Sequence, residues 1–162
     1  MAEGRMISGG AHEIKITKVA PEGILGDVKD MRSAVTNLVT NAVRYTPKDG
    51  KIELSWEVKD DHGILSVKDN GIGIAPEHIP RVTERFYRVD KSRSRETGGT
   101  GLGLAIVKHI LFRHQAQLQI ESELGKGSTF KIIISKARLA PPINSKELLS
   151  GTAPGSTPVL GV

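Results

Sequence analysis

Three groups of residues in this chain could do chemistry together. The first is Asp69-Asn70-Gly71-Ile72-Gly73-Ile74, which follows an alternating run over 63–68 that reads as a strand. A carboxylate at the end of a strand is costly to bury unless it has a partner. Glycines let the backbone bend tightly or approach a ligand closely. The stretch therefore reads as a carboxylate at the mouth of a pocket beside a glycine wall, although Asp-Asn-Gly is also an ordinary turn signal. The second group is Asn37 and Asn41, four residues apart and on one helical face, with Arg44 on the same side. Asparagine is a poor helix former, so two of them facing one way need an explanation. They are either site residues or partly exposed amides satisfied by neighbours. The third group is the run from Gly98 to Leu104, from which an apolar helix opens directly. Glycines at a helix start let N–H groups point at an anion, aided by the helix dipole.

A long basic segment over 84–99 separates the first group from the third. It carries Arg85, Arg88, Lys91, Arg93 and Arg95 against Glu84, Asp90 and Glu96, with no sustained period. Long loops in compact domains are usually functional or disordered, whereas a charge run alone is often a solvated face. The glycine run does not fit a dinucleotide fingerprint. That motif follows a first parallel strand and is followed by an acidic ribose partner within a βαβ unit, whereas this run comes late, after a basic loop.

Elements must position these groups. An alternating strand over 12–19 (Ile14, Ile16, Val19) leads to a turn and a short second strand over 24–26. Residues 28–45 carry apolar side chains at helical spacing (Met31, Ala34, Val35, Leu38, Val39, Ala42, Val43), with Asp27 as N-cap and Pro47 as terminator. Runs over 51–59 and 63–68 form a hairpin that delivers Asp69. Pro76 starts a short helical piece over 77–82. The helix after the glycine run is expected to bury Leu102, Ala105, Ile106, Ile110 and Leu111. Two further strands, 117–121 and 129–135, are joined at 125–127. The fold class is α/β: a two-layer sandwich with a mixed, mostly antiparallel sheet and about three helices on one face. Residues 1–10 read as a tag or loose N-terminus, 11–136 as the domain, and 137–162 as a Pro/Gly-rich flexible tail, with a helical turn over 146–149.

Composition narrows the classes. With 162 residues there is room for one domain with a sizeable core. There is no cysteine, which excludes disulfides and thiolate metal sites. No apolar run reaches the length of a membrane span, and the N-terminus lacks a signal-peptide core. Net charge is +5, compatible with an anionic ligand, with nucleic acid or with solubility alone. Aromatics at 4% argue against a stacking platform for single-stranded nucleic acid.

Taken together, the groups resemble the GHKL ATPases: gyrase, the heat-shock chaperone of about ninety kilodaltons, histidine kinases and MutL. Asn37-x-x-x-Asn41-Ala42-x-x-Tyr45-Thr46-Pro47 resembles their N box and Asp69-x-Gly71-x-Gly73 their G1 box. Glu84-Arg85-Phe86-Tyr87-Arg88 resembles the F box, and Gly99-Thr100-Gly101-Leu102-Gly103-Leu104 the G2 box. The similarity covers about residues 11–136. The run from Arg85 to Arg95 most resembles the phosphate-regulon sensor kinases of Gram-negative bacteria.

The resemblance implies roles. Asp69 would accept a hydrogen bond from the adenine amine and reject the oxo group of guanine, with Gly71 and Gly73 beside it. Asn41 would ligate Mg²⁺, assisted by Asn37. Arg44 would pair with phosphate, and Tyr45 would sit near adenine or ribose. The amides of Gly99, Thr100, Gly101, Leu102 and Gly103 would cradle the phosphates under a lid formed by the basic loop. Arg88 would meet the γ-phosphate or the acceptor helix, and Thr129 would support adenine through water. Hydrolytic relatives carry a glutamate four residues before the metal asparagine. Here that position is Asn37, which cannot act as a general base. The expected chemistry is transfer of the ATP γ-phosphate to a histidine on a separate dimerisation domain, and thence signalling to a response regulator. His12-Glu13 imitates the start of an acceptor motif but lies in an alternating strand. The isolated chain is thus expected to bind Mg-ATP as a monomer without phosphorylating itself. It would be the cytoplasmic part of a parent anchored in the bacterial inner membrane. The alternatives are a hydrolytic ATPase or an anti-sigma serine kinase of the same fold, and a basic docking module for nucleic acid or protein.

Overall fold

The computed structural model describes residues 7–89 and 99–142. In chain order its elements are β1 (Glu13–Val19), β2 (Gly23–Ile24), α1 (Val28–Tyr45), β3 (Lys51–Lys59), β4 (His62–Asp69), α2 (Gly103–Arg113), β5 (Gln117–Glu123), β6 (Gly127–Ile134) and β7 (Leu139–Ala140). The main sheet has five strands in the order β1-β3-β4-β6-β5, and β2 pairs with β7. The β1–β3 pair is parallel and all other pairs are antiparallel. The two α-helices pack together and against the sheet, so the α/β class and the mixed sheet hold. Among the described residues α1 and α2 are the long α-helices, and Ile7 and Ser8 are helical as well. The piece expected over 77–82 is a 3₁₀ turn, Ile79–Arg81, where Pro80 removes a backbone donor.

Several element boundaries follow from local sequence. The Asp27 side chain accepts the Asp30 N–H at 2.9 Å and caps α1. Thr46, just before Pro47, is extended (φ −109°, ψ 123°), which ends the helix. Asp60 and Asp61 both have positive φ (49° and 62°) and make the tight two-residue turn between β3 and β4. The core joins Leu38 of α1, Val107 and Leu111 of α2, Ile52, Val67, Phe130 and Ile132 of the sheet. Burying each of these large side chains is worth about 1.5–3 kcal/mol, which fixes both helices on one face.

Three expectations need correction. In α2 the buried residues are Val107, Ile110 and Leu111, whereas Ile106 is 43% exposed. Leu104 to Val107 are all apolar, so the sequence allows two helical phases, and contact with α1 selects one. The chain beyond 136 is not all tail. Lys136–Arg138 forms a 3₁₀ turn and β7 pairs with β2, with Ala140 fully buried. Nor are Ile7 and Ser8 loose, because Ile7 packs on the core and Ser8 is buried. The expectations for 1–6, for 90–98 with Asp90, Lys91, Arg93, Arg95 and Glu96, and for 143–162 lie outside the described residues.

Candidate functional site

The end of β4 sets one wall of a cleft. Asp69 is buried, and its Oδ1 accepts the N–H of Gly71 at 2.9 Å and of Ser128 at 3.3 Å. Burial pushes its carboxyl above the usual carboxylate range, and these two N–H groups pull it part of the way back. Both bonds use Oδ1, which leaves Oδ2 without a partner among the described residues. The turn that follows is wedged between α1 and the β5–β6 hairpin. The Ile72 N–H donates to Tyr45 O, and Ile72 O accepts the Gly125 N–H. A Cβ on Gly71 would lie 2.2 Å from Tyr45 O, and one on Gly73 (φ +70°) would lie 2.1 Å from Glu123 O. Only glycine fits at either position. Thr46 closes this corner, with Oγ1 buried and unpartnered among the described residues.

α1 supplies the opposite wall. Asn37 Nδ2 donates to Ser33 O at 2.8 Å, one turn back, which fixes the orientation of the amide. Its Oδ1 then faces the start of α2, where a Cβ on Gly103 would lie 3.1 Å away. Asn41 lines the same cleft one turn further on. The Arg44 guanidinium lies under the glycine run, 2.6 Å from where a Gly99 Cβ would stand. The run itself bends through Gly101 (φ +72°), Leu102 caps α2, and the Leu102 N–H donates to Thr100 Oγ1 at 3.3 Å.

These parts enclose one cleft of about 600 Å³. Asn37, Asn41, Arg44, Tyr45, Asp69, Gly73, Arg88, Thr100, Gly101 and Gly103 line it. Gly71, Gly99 and Leu102 do not line it, although Gly71 packs against Tyr45 O and Gly99 against the Arg44 guanidinium. Thr129 does not line it either. In the β4–β6 register Ser128 stands opposite Asp69 and Thr129 opposite Lys68, on the other face of the sheet. Ser128 lines the cleft in its place. Its hydroxyl bonds Ser122 Oγ at 2.8 Å, which also accepts the Ile74 N–H and donates to Gly127 O. Sequence reasoning missed Ser128, Thr46 and His78, all of which line the cleft. The first needed the register to be known to one residue.

The charges divide the cleft. A carboxylate and small hydroxyls stand at one end; amide oxygens, two arginines and a glycine turn opening a helix stand at the other. The first suits an exocyclic amine and the second an oxyanion. Among the described residues no group of three His, Cys, Asp or Glu could hold a metal. A cation here would therefore take hard amide oxygens, from Asn41 and Asn37, together with ligand phosphates, a donor set that suits Mg²⁺.

Residues 26–138 match the model of one family, described as histidine kinase-, DNA gyrase B-, and HSP90-like ATPase. The chain belongs to this family. It is 51% identical over 133 residues to the phosphate regulon sensor protein PhoR of Pseudomonas aeruginosa, covering 82% of this chain and 30% of that protein. To PhoR of Haemophilus influenzae it is 50% identical over 125 residues, 77% of this chain and 29% of that one. The chain thus spans under a third of these curated relatives. Among solved structures it is similar to the mycobacterial sensor histidine kinase MprB, with TM-score 0.71 and 25% identity over 88% of this chain and 93% of that one. It also resembles full-length ShkA in complex with AMPPNP, with TM-score 0.72 and 29% identity over 91% of this chain and 31% of that one. No helix among the described residues is long and apolar enough to cross a membrane.

Proposed function

We propose that this chain is the ATP-binding catalytic domain of a PhoR-type sensor histidine kinase, and that its parent protein signals phosphate starvation through a response regulator. The observation that carries this reading is the division of one cleft between the Asp69 carboxylate and the Asn37–Asn41–Arg44 face of α1. Asp69 Oδ2 takes the adenine amine. Arg44, Arg88 and the amides from Gly99 to Gly103 take the phosphates. Mg²⁺, when bound, would sit against Asn41 and Asn37 and neutralise phosphate charge. Asn37, back-bonded to Ser33, offers an amide where a hydrolase needs a general base, so transfer to a positioned nucleophile is favoured over hydrolysis. The acceptor histidine lies on dimerisation helices of the parent kinase. His12 serves the fold instead, with Nε2 donating to Thr46 O at 2.7 Å. The parent's membrane anchorage and the cytoplasmic position of this domain follow the same reading.

Calorimetric titration with ATP, GTP and ADP in Mg²⁺, on wild type and Asp69→Asn, tests the site. ATP should bind and GTP should not, and the substitution should erase the difference. Equal affinity of the wild type for ATP and GTP would refute the role of Asp69. With γ-labelled ATP, label should reach separately supplied dimerisation helices and not the chain alone.

A further inference from the structure

At the mouth of the cleft, Nδ1 of His78 and Oη of Tyr87 share a 2.5 Å hydrogen bond, and both side chains line the cleft. Their rings lie 6.0 Å apart. The Arg81 guanidinium sits 4.4 Å over the Tyr87 ring and is itself paired with Glu84. His78 is well anchored: its N–H donates to Ala75 O, and its carbonyl accepts from the Arg81 and Val82 N–H groups. Tyr87 immediately precedes Arg88, which lines the cleft. The residue before it, Phe86, has φ +62°, a conformation that is strained for an aromatic residue. Its N–H donates to Gly101 O at 3.0 Å in the glycine turn, while its side chain points out, 70% exposed. The strained bend turns Phe86 away while Tyr87 and Arg88 line the cleft. The Phe86 and Tyr87 N–H groups and the Arg81 guanidinium contribute to holding that bend, and the His78–Tyr87 bond is a side-chain hydrogen bond that ties it to the segment after Gly73.

We propose that His78 is a positioning residue: through Tyr87 it fixes the backbone from which Arg88 reaches the terminal phosphate. This rests on the ATP reading of the cleft and on the γ-phosphate role of Arg88. His78 itself touches no reacting atom. It joins the segment after Gly73 to the segment that bears Arg88.

The test is the ratio of Mg-ATP to Mg-ADP affinity, measured by calorimetry on the whole chain. This ratio reports contacts to the terminal phosphate and is insensitive to a general loss of stability in a chain that still folds. Arg88→Ala should lower it. His78→Phe and Tyr87→Phe should each lower it by about 2- to 10-fold, the worth of one neutral hydrogen bond. The double substitution should be no worse than either single one, and His78→Asn, whose amide can donate or accept near Nδ1, should restore the ratio. Should His78→Phe fail to fold, Tyr87→Phe removes one oxygen and asks the same question. A ratio lowered by Arg88→Ala but untouched by His78→Phe and Tyr87→Phe would overturn the positioning role alone. A ratio unmoved by Arg88→Ala would overturn the role of Arg88 and this inference with it. A wild-type chain that binds neither nucleotide would sink the ATP reading itself.

Discussion

Ser128 stands directly opposite Asp69 in the β4–β6 pair, and its N–H donates to Asp69 Oδ1 at 3.3 Å. The next residue, Thr129, belongs to the other face of the sheet. Ser128→Val should therefore weaken ATP binding, since it removes the hydroxyl that joins Ser122 and crowds the cleft beside Asp69. A loss of about 5- to 30-fold is expected for one or two polar contacts. Thr129→Val should leave ATP affinity unchanged. Titration of the two variants side by side decides between the faces, and a larger effect at Thr129 would mean that the register is wrong.

Burial raises the Asp69 carboxyl above its ordinary value of 3.8, so the native state holds this proton more tightly than the unfolded chain does. Below pH 3.8 the group is protonated in both states and carries no penalty. As pH rises from 3.8 to the elevated folded value, the unfolded carboxyl gives up its proton while the native one keeps it, and the free chain loses stability until the buried carboxyl also ionises. Asp69→Asn keeps an oxygen for the Gly71 and Ser128 N–H groups but has no charge to bury. Thermal unfolding of the free chain should thus show Asp69→Asn more stable than wild type near neutrality, with the gap closing toward pH 3.8. A gap that does not change with pH would count against this. Over the same window, wild-type ATP affinity should fall with falling pH, because the protonated carboxyl is a poorer acceptor for the adenine amine.

The parts of the site legible in the sequence were those that depend on spacing within one element. Asn37, Asn41 and Arg44 share a face because a helix repeats every 3.6 residues, whatever packs against it. Asp69 and its glycines end a strand whose alternation is plain. What stayed hidden depends on contacts between elements. The phase of α2 within four consecutive apolar residues is set by α1. The choice of Ser128 over Thr129 is set by the β4 register. The pairing of Leu139–Ala140 with Gly23–Ile24 joins two short segments more than a hundred residues apart; a short strand was legible at Ile24, but nothing in the sequence marked its partner. The His78–Tyr87 bond escaped notice for the same reason, since nothing in local composition marks two residues nine apart as partners.

Gly73 combines a positive φ (+70°) with a site where a Cβ would lie 2.1 Å from the Glu123 carbonyl oxygen. The obstacle is backbone in a paired hairpin, so it cannot swing aside as a long side chain would. Gly73→Ala should destabilise the chain by about 3 kcal/mol or more, combining backbone strain with steric displacement of β5. Gly125→Ala is a useful contrast. It also has positive φ (+80°), but nothing lies within 4 Å of its Cβ position, so only the conformational cost of about 1 kcal/mol should appear. Chemical denaturation of both variants measures the difference. Equal costs would mean that the turn after Asp69 can shift away from the β5–β6 hairpin.

Asn37 Oδ1 is aimed at the start of α2 by the bond from Nδ2 to Ser33 O, and Asn41 lines the cleft one turn on. Among the described residues no group of three acidic, His or Cys side chains could hold an ion unaided. Metal and nucleotide should therefore bind together: Mg²⁺ alone should bind too weakly to give a calorimetric signal, and adenosine should bind equally well with and without it. Removing Mg²⁺ with a chelator should weaken ATP binding by at least tenfold, about 1.4 kcal/mol, because the arginines and glycine-run amides of the proposed site would then meet the phosphate charge without the cation. Asn41→Ala should lower ATP affinity in Mg²⁺ and make it nearly indifferent to the chelator. Asn37→Ala should do so more weakly. If Asn41→Ala retained the full Mg²⁺ dependence, the ion would have to be held elsewhere, and α1 would be only a wall of the cleft.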